Sequence, residues 1–560
     1  MAGTNESHKR KLRVGLMIDS LVQPRWRYEI IKEIQSSSIA DIALIIQNRV
    51  PHGPKLSLPQ KISQKRKTLL YDLYTRIDDF VFRVEPDAFK NLQIEDLLNG
   101  CPVIEVTPEM RKYSDYFVDA DVDRILKYDL DVVLRFGFRI LKGRALQIAR
   151  HGVWSYHHGD NRVNRGGPPG FWEVMNNEPT TGSVLQVLTE ELDNGNVIYR
   201  SWAPTLDILS VKRNSSNYYW KSADFVMRSL RQLYAGNASL NGHEEHAAFT
   251  PYSSRLYKVP TNLQMLPLLF RLIGRFVRVL IRKLWSFEQW FLAYRFKSNP
   301  NDTNNAFYKF KRIVPPKDRF WADPFPLKFG GHYYIFVEEY IYKKGKAHIS
   351  VIKIDDSGRP TESVKVLEKD HHLSYPFVFQ WQDNYYMVPE SGEQKKVELY
   401  RCTEFPTRWE FEKVLLENHN PVDATLIEID GLWWMFVSIS VRGIPRNWDE
   451  LHLFYADSPL GCWTPHRANP VKSDVRSSRP AGRLFWWNNE LYRPAQDCSR
   501  YYGYGMSLNK IVRITPSEFL EQQVATITPD WDKHIIGTHT FNTCDDISVI
   551  DCLMRRRKMF

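Results

Sequence analysis

The stretch "GVWSYHHGDNRVNRGGPPGFWEVM", residues 152–175, sets two histidines, an aspartate and an Arg-Gly-Gly-Pro-Pro turn between two apolar segments. Just before it, "LDVVLRFGF" (130–138) is a short apolar run of the kind that forms a buried parallel strand. Upstream, "LRVGLMI" (12–18), "ADIALIIQ" (40–47) and "CPVIEVTP" (101–108) repeat that texture. The helical patterns "PRWRYEIIKEIQSSS" and "DVDRILKY" fall between them. Strands alternating with helices predict a Rossmann-like α/β domain on a parallel sheet. No GxGxxG follows the first strand, so a dinucleotide site has no support.

A chain of 560 residues is too long for one core, and its 17 tryptophans are ample material for several. The formal charge of +11 suits nucleic acid, an anionic membrane surface or phosphorylated substrates, without choosing among them. Lys and Arg are spread along the chain and no known binding module is visible, which argues against nucleic acid. The six cysteines include no CxxC pair, so neither a zinc framework nor a dense disulfide scaffold is expected. Together with a polar N-terminal stretch that runs straight into a strand, this predicts a cytoplasmic protein.

Residues 206–300 read as a helical connector. Within it, 263–296 ("LQMLPLLFRLIGRFVRVLIRKLWSFEQWFLAYRF") predicts one long helix on which Arg271, Arg275, Arg278 and Arg282 form a cationic stripe. The arginines argue against a spanning helix. Two readings remain open: a basic amphipathic helix lying peripherally on an anionic membrane surface at its inner face, or an interdomain packing helix. After the linker "SNPNDTNNA" the texture becomes all-β. From 307 to 552, "DRFWADPFPLKFGGHYYIFVEE", "SYPFVFQWQDNYYMVPES", "PVDATLIEIDGLWWMFVSI" and "SSRPAGRLFWWNNELYRPAQD" share one plan, and "GTHTFNTCDDISVIDC" closes the series. Five such groups predict a five-bladed β-propeller.

In order along 130–200, the elements "DVVLRFGFRIL", "SYH", "RGGPPGFWEVMNNEPTTGS" and "ELDNGNVI" resemble the formyltransferase family that uses 10-formyltetrahydrofolate. That family includes methionyl-tRNA, glycinamide ribonucleotide and nucleotide-amino-sugar formyltransferases, and the resemblance covers about residues 10–205. It implies His157 as the catalytic imidazole and Asp193 as the carboxylate that orients it. An amine attacks a formamide-like carbon, so the site must supply an oxyanion donor and a proton acceptor. The family's asparagine, two residues before the histidine, is here Ser155. Its hydroxyl can donate a hydrogen bond without amide geometry, unless Asn161, Asn164 or His158 substitutes. His158 and Asp160 add charge where an acceptor would approach, and Arg165, Gly166 and Gly167 predict a tight turn near ligand. Adjacent histidines do not share one ion easily and no His/Cys cluster lies near, so no metal is expected.

The propeller segment carries "WADPF" and "VDAT", which resemble the aspartate motifs of arabinanase-, levansucrase- and invertase-like enzymes and imply Asp323 and Asp423 at a central funnel. The general-acid glutamate of those hydrolases has no clear counterpart: Arg479 stands near its place, and Glu390 is the nearest alternative acid. Asp497 is a third candidate. Without an obvious acid, glycan binding is favoured over hydrolysis. In order, "SYPFVFQWQDNYYMVPES", "LYRCTEFPTRWEFEKVL", "YADSPLGCWTPHRANPV" and "LYRPAQDCSRYYG" also resemble the propeller-like domain of plant glucosamine inositolphosphorylceramide transferases, a likeness that spans most of residues 315–525.

Three functions follow. In the first, the chain is a transferase moving a formyl group from 10-formyltetrahydrofolate to an amino sugar on a nucleotide- or lipid-linked glycan, with the propeller holding the sugar. In the second, the propeller is a glycosidase or glycosyl-transferring centre beside a degenerate first domain. In the third, the chain only binds glycans.

Overall fold

The apolar runs of the first third form the sheet that their texture predicts. The computed structural model describes residues 9–50, 65–163, 165–191, 195–206, 209–236, 256–297, 306–440 and 449–558. Asn164 and Asp193 lie outside the described residues. Two compact units divide the chain, residues 1–275 and 276–560.

The first unit contains β1 (Leu12–Ile18), β2 (Ala40–Asn48), β3 (Val103–Val106), β4 (Val132–Arg135), β5 (Val153–His157), β6 (Thr180–Val187) and β7 (Asn196–Pro204). They form one sheet in the order β7-β6-β5-β4-β1-β2-β3. Strands β5, β4, β1, β2 and β3 run parallel, and β6 and β7 add an antiparallel edge. Val14, Leu16, Met17 and Ile18 are all buried, because helices cover both faces of a parallel sheet. Helix α1 (Arg25–Ser36) buries Trp26, Ile30 and Ile34, spaced four apart on one face. Each such side chain contributes about 1.5–3 kcal/mol when fully buried.

Further helices are α2 (Leu69–Val81), α3 (Asp119–Leu126), α4 (Phe171–Asn176), α5 (Val211–Ser222), α6 (Asp224–Tyr234) and α7 (Asn262–Trp285). Helix α5 packs on β6 and helix α6 on α1 and β7. Residues 209–236 therefore belong to the first unit's core, rather than to a free-standing connector. The long helix also ends earlier than its apolar pattern suggests. Ser286–Phe296 is a strand, β8, paired residue by residue with Ile547–Arg557. Its aromatic residues gain a sheet partner at the far end of the chain, which local periodicity cannot reveal.

The second unit is built of antiparallel sheets in chain order. Lys311–Ile313 is β9. The first four-stranded sheet holds β10 (Arg319–Phe329), β11 (His332–Ile341), β12 (Lys346–Ile354) and β13 (Val364–Leu367). The second holds β14 (Ser374–Trp381), β15 (Asn384–Glu390), β16 (Val397–Glu404) and β17 (Arg408–Leu416). The third holds β18 (Pro421–Ile429), β19 (Leu432–Ile439), β20 (Leu451–Ala456) and β21 (Thr464–Pro465). The fourth holds β22 (Phe485–Trp487), β23 (Glu490–Asp497), β24 (Gly505–Ile514) and β25 (Phe519–Ile527). The last sheet draws β26 (Ile535–Gly537), β27 (Phe541–Cys544) and β28 (Ile547–Arg557) from the end of the chain, and β8 and β9 from the start of the unit. Joining first and last strands in one sheet removes two free edges, and the arrangement is propeller-like.

Candidate functional sites

Three of the sheets carry the same defect. Pairing of β10 with β11 skips Asp323 and Pro324, that of β14 with β15 skips Tyr375 and Pro376, and that of β18 with β19 skips Asp423 and Ala424. The first skipped residue has positive φ in each: 51° at Asp323, 43° at Tyr375 and 55° at Asp423. Such bulges re-aim one side chain out of the alternating pattern. The conformation is tolerable for aspartate and unusual for tyrosine. Tyr375 is held there by its hydroxyl, which donates to or accepts from Thr425 Oγ1 at 2.8 Å and accepts from the Gly482 amide at 2.8 Å.

These bulges converge on a buried polar cluster. The Arg479 guanidinium pairs with Asp423 through Nε, with a second contact from Nη2 to Oδ1 at 3.3 Å. Nη2 also reaches Glu390 Oε2 at 3.5 Å. Gln496 Nε2 donates to Asp423 Oδ2 at 2.8 Å, and Arg479 lies over the Tyr502 ring. Burial and the Asp423 charge push the Glu390 carboxyl well above its usual range. Burial would lower the Arg479 pKa, but Asp423 outweighs it and keeps the guanidinium charged.

A second group adjoins Asp323. Thr540 Oγ1 donates to Asp323 Oδ1 at 2.6 Å, and His539 Nε2 lies 3.5 Å from the same oxygen. His539 Nδ1 is 2.6 Å from Asp551 Oδ2. Burial pushes Asp323 up to about 7. Burial would lower His539, but Asp551 and Asp323 hold it at about 9. Among the described residues, Asp323, His539 and Asp551 are the group whose ligand atoms lie close enough to share a metal ion. Their bonding disfavours one. Asp551 Oδ1 accepts from the amides of His539 and Thr540, and Oδ2 accepts from the Asp323 amide, so this carboxylate is already engaged by the backbone.

Asp497 stands apart from this cluster: its Oδ1 accepts from the Ser499 amide at 2.9 Å, and its electrostatic neighbours are Asp474 and Arg476. Arg483 spends its guanidinium on the carbonyls of Pro326 and Val378, tying the sheets together. Sequence reasoning missed Tyr375, His539 and Asp551. A signal for the first was present: "WADPF" and "SYPF" share the frame x-Pro-Phe.

In the first unit, Ser155 and His157 lie two apart on β5 and so project to one face. Ser155 is buried opposite Arg135 on the parallel neighbour β4, and Arg135 Nε donates to the Ser155 hydroxyl at 3.1 Å. Arg135 Nη1 is anchored by the carbonyls of Phe138 and Arg139 at 3.2 and 2.8 Å. A guanidinium therefore stands beside the position of the expected amide, and this residue escaped the sequence reading because it lies on a different strand.

A cavity of about 340 Å³ opens here, walled by Arg27, Arg135, Asp19, Trp26, Phe136 and Tyr219. Arg27 sits over the Trp26 and Phe136 rings, and Nη1 donates to Phe136 O at 2.6 Å. Burial lowers its pKa to about 10, leaving it charged at neutral pH. His158 stacks on Tyr219 with ring centroids 3.6 Å apart and contacts Ser222 Oγ through Nε2. Burial, His157 and Arg27 hold it neutral.

The remaining loop residues have structural partners. Asp160 accepts from Arg200 Nη1 and Trp202 Nε1, both at 2.9 Å, and Arg200 also reaches Asn161 Oδ1. Arg165 Nε donates to the Asn161 carbonyl. Gly166, with φ of 96°, lies so close to Tyr257 that a Cβ would sit 2.3 Å from its carbonyl oxygen. Gly167 donates to that same carbonyl. Chain, not ligand, fills the space beside this turn.

A family model described as glucosamine inositolphosphorylceramide transferase 1, N-terminal, matches residues 312–543. The rice (Oryza sativa subsp. japonica) glucosamine inositolphosphorylceramide transferase 1 is 41% identical over 209 residues, which is 37% of this chain and 28% of that protein. A methionyl-tRNA formyltransferase of Chlorobium limicola is 28% identical over 118 residues, 21% of this chain and 37% of that protein. Among solved structures, a family 117 glycoside hydrolase of Zobellia galactanivorans aligns with 14% identity and a TM-score of 0.31, covering 48% of this chain and 90% of that one. The chain thus spans little more than a quarter of the length of the rice relative it matches.

Proposed function

We propose that this chain is a transferase that moves a formyl group to an amino sugar carried on a phosphate-linked glycan, with the second unit holding the sugar. The carrying observation is the contact between Arg135 Nε and Ser155 on the strand that bears His157. A cation and a hydroxyl together replace one neutral amide as donors to the formyl oxygen. When bound, 10-formyltetrahydrofolate supplies an activated formyl carbon. The described residues fit that end of the molecule, because one edge offers two donors and an imidazole. His157 accepts the proton that the attacking amine must lose, and Arg135 meets the negative charge that develops on oxygen.

The cavity beside this edge supports a phosphate-bearing acceptor. Arg27 and Arg135 face a space also walled by Asp19, whose Oδ1 already accepts from Asn48 and the Phe138 amide. Trp26 and Tyr219 offer rings to a sugar or base face. In the second unit we read the five sheets as five blades around an axis, with Asp323, Asp423, Glu390 and Arg479 lining the funnel that receives the glycan.

A second reading rests on Glu390. A carboxyl pushed well up by burial, 3.5 Å from a guanidinium that is itself paired with a second carboxylate, is the asymmetry that acid catalysis at a glycosidic bond needs. On that reading the propeller transfers glycosyl groups to a lipid-linked acceptor, and the match to the plant transferase family supports it. Calorimetric titration with tetrahydrofolate separates the two. Saturable binding is expected for the first, and its absence would leave only the propeller-centred reading.

A further inference from the structure

We propose that helices α2 and α7 form a docking surface for an anionic phospholipid bilayer. Helix α7 has three sides. Met265 and Leu268 are buried and Leu269 and Leu272 pack beside them, in one cluster with Phe171, Met175 and Tyr74 of α2. A second side runs from Leu263 and Leu266 through Phe270, Ile273, Val277 and Leu280 to Leu284, at alternating steps of three and four. This apolar side faces solvent: Leu263 is 81% exposed, Phe270 73% and Leu284 55%. Helix α2 presents its own outward row, Leu69, Leu73, Ile77 and Phe80, the last 74% exposed. Asn262 links the two helices, accepting from the Leu70 amide and donating to the Arg66 carbonyl.

The third side of α7 is cationic. Arg271, Arg278 and Arg282 are exposed and Lys283 follows them, while the helix contains no acidic residue. The four-arginine stripe expected from sequence loses one member, because Arg275 donates to the carbonyls of Val174 and Met175 and pins α7 to α4. Charge selects the occupant. A second copy docked through α7 would oppose two cationic, acid-free helices, whereas anionic headgroups complement them; α2 adds its apolar row and carries Asp72 and Asp79 beside it. Among the described residues no helix is long and apolar enough to cross a membrane, so the surface lies on the bilayer.

Flotation of the full chain with vesicles of phosphatidylcholine, or of phosphatidylcholine with phosphatidylglycerol, tests this, alongside gel filtration. The expected result is flotation with the anionic vesicles that salt weakens, and elution as a monomer. Phe270→Asp with Phe80→Asp should abolish flotation. Arg271→Gln with Arg278→Gln and Arg282→Gln should weaken it about a hundredfold, since each cation near an anionic surface is worth about fivefold. These positions are exposed, so melting should match the parent chain. Equal flotation of the Phe variant and parent, no flotation of the parent, or a dimer that Phe270→Asp dissociates would each overturn the proposal.

Discussion

Replacing Asp423 by asparagine should cost the second unit about 3 kcal/mol, and the structure sets that figure. Asp423 is 1% exposed and Arg479 is 8% exposed, so the pair cannot exchange partners with water. Removing one partner of a buried pair typically costs about 3–5 kcal/mol, because an uncompensated charge remains. The lower end applies here. Glu390 lies 3.5 Å from Arg479 and its carboxyl is pushed up by burial and by the Asp423 charge, so losing that charge relieves part of the push and lets Glu390 take over part of the pairing. At about 2–4 °C per kcal/mol for a unit this large, the transition should fall by about 6–12 °C. Differential scanning calorimetry of the full chain near neutral pH reads this as a shift of the second unit's transition. Asp423→Asn combined with Arg479→Met should recover most of the loss while abolishing the proposed glycan binding. A transition in Asp423→Asn within about one degree of the parent would refute the electrostatic reasoning.

Three further outcomes follow from the same geometry. Arg135→Met should lower kcat for formyl transfer by about 10²–10³ with little change in KM, as loss of one oxyanion donor does; a change confined to KM would contradict that role. Asp160→Ala should destabilise the first unit by about 3 kcal/mol, because Arg200, only 4% exposed at its side chain, is left without that carboxylate; calorimetry checks it. The folded pKa of Asp323 is raised to about 7 and that of His539 to about 9, so each contributes stability that is lost as pH rises through those values. The second unit's melting temperature should therefore fall between about pH 4 and pH 9, and Asp323→Asn should flatten the lower part of that fall.

The parallel sheet was legible because its strands are continuous apolar runs, and the propeller-like sheets because each hairpin pairs an apolar strand with an aromatic one. What was hidden depends on distance along the chain. Ser286–Phe296 reads as helix locally and becomes a strand only because Ile547–Arg557 pairs with it. The motifs "WADPF" and "VDAT" single out Asp323 and Asp423, yet the bulges at both positions are invisible in a pattern of residue types. Arg135, His539 and Asp551 owe their contacts to residues distant along the chain. Conversely, Asp160 and Gly166 looked like ligand contacts because polar and glycine-rich loops bind ligands and also close tight structural turns, and only the positions of Arg200 and Tyr257 distinguish the two.

The most direct test of the account is mass spectrometry of nucleotide- and lipid-linked amino sugars incubated with the purified chain and 10-formyltetrahydrofolate. The parent is expected to add one formyl group to a primary amine of the sugar, and His157→Ala to add none. No formylated product from the parent, or equal product from His157→Ala, would contradict it.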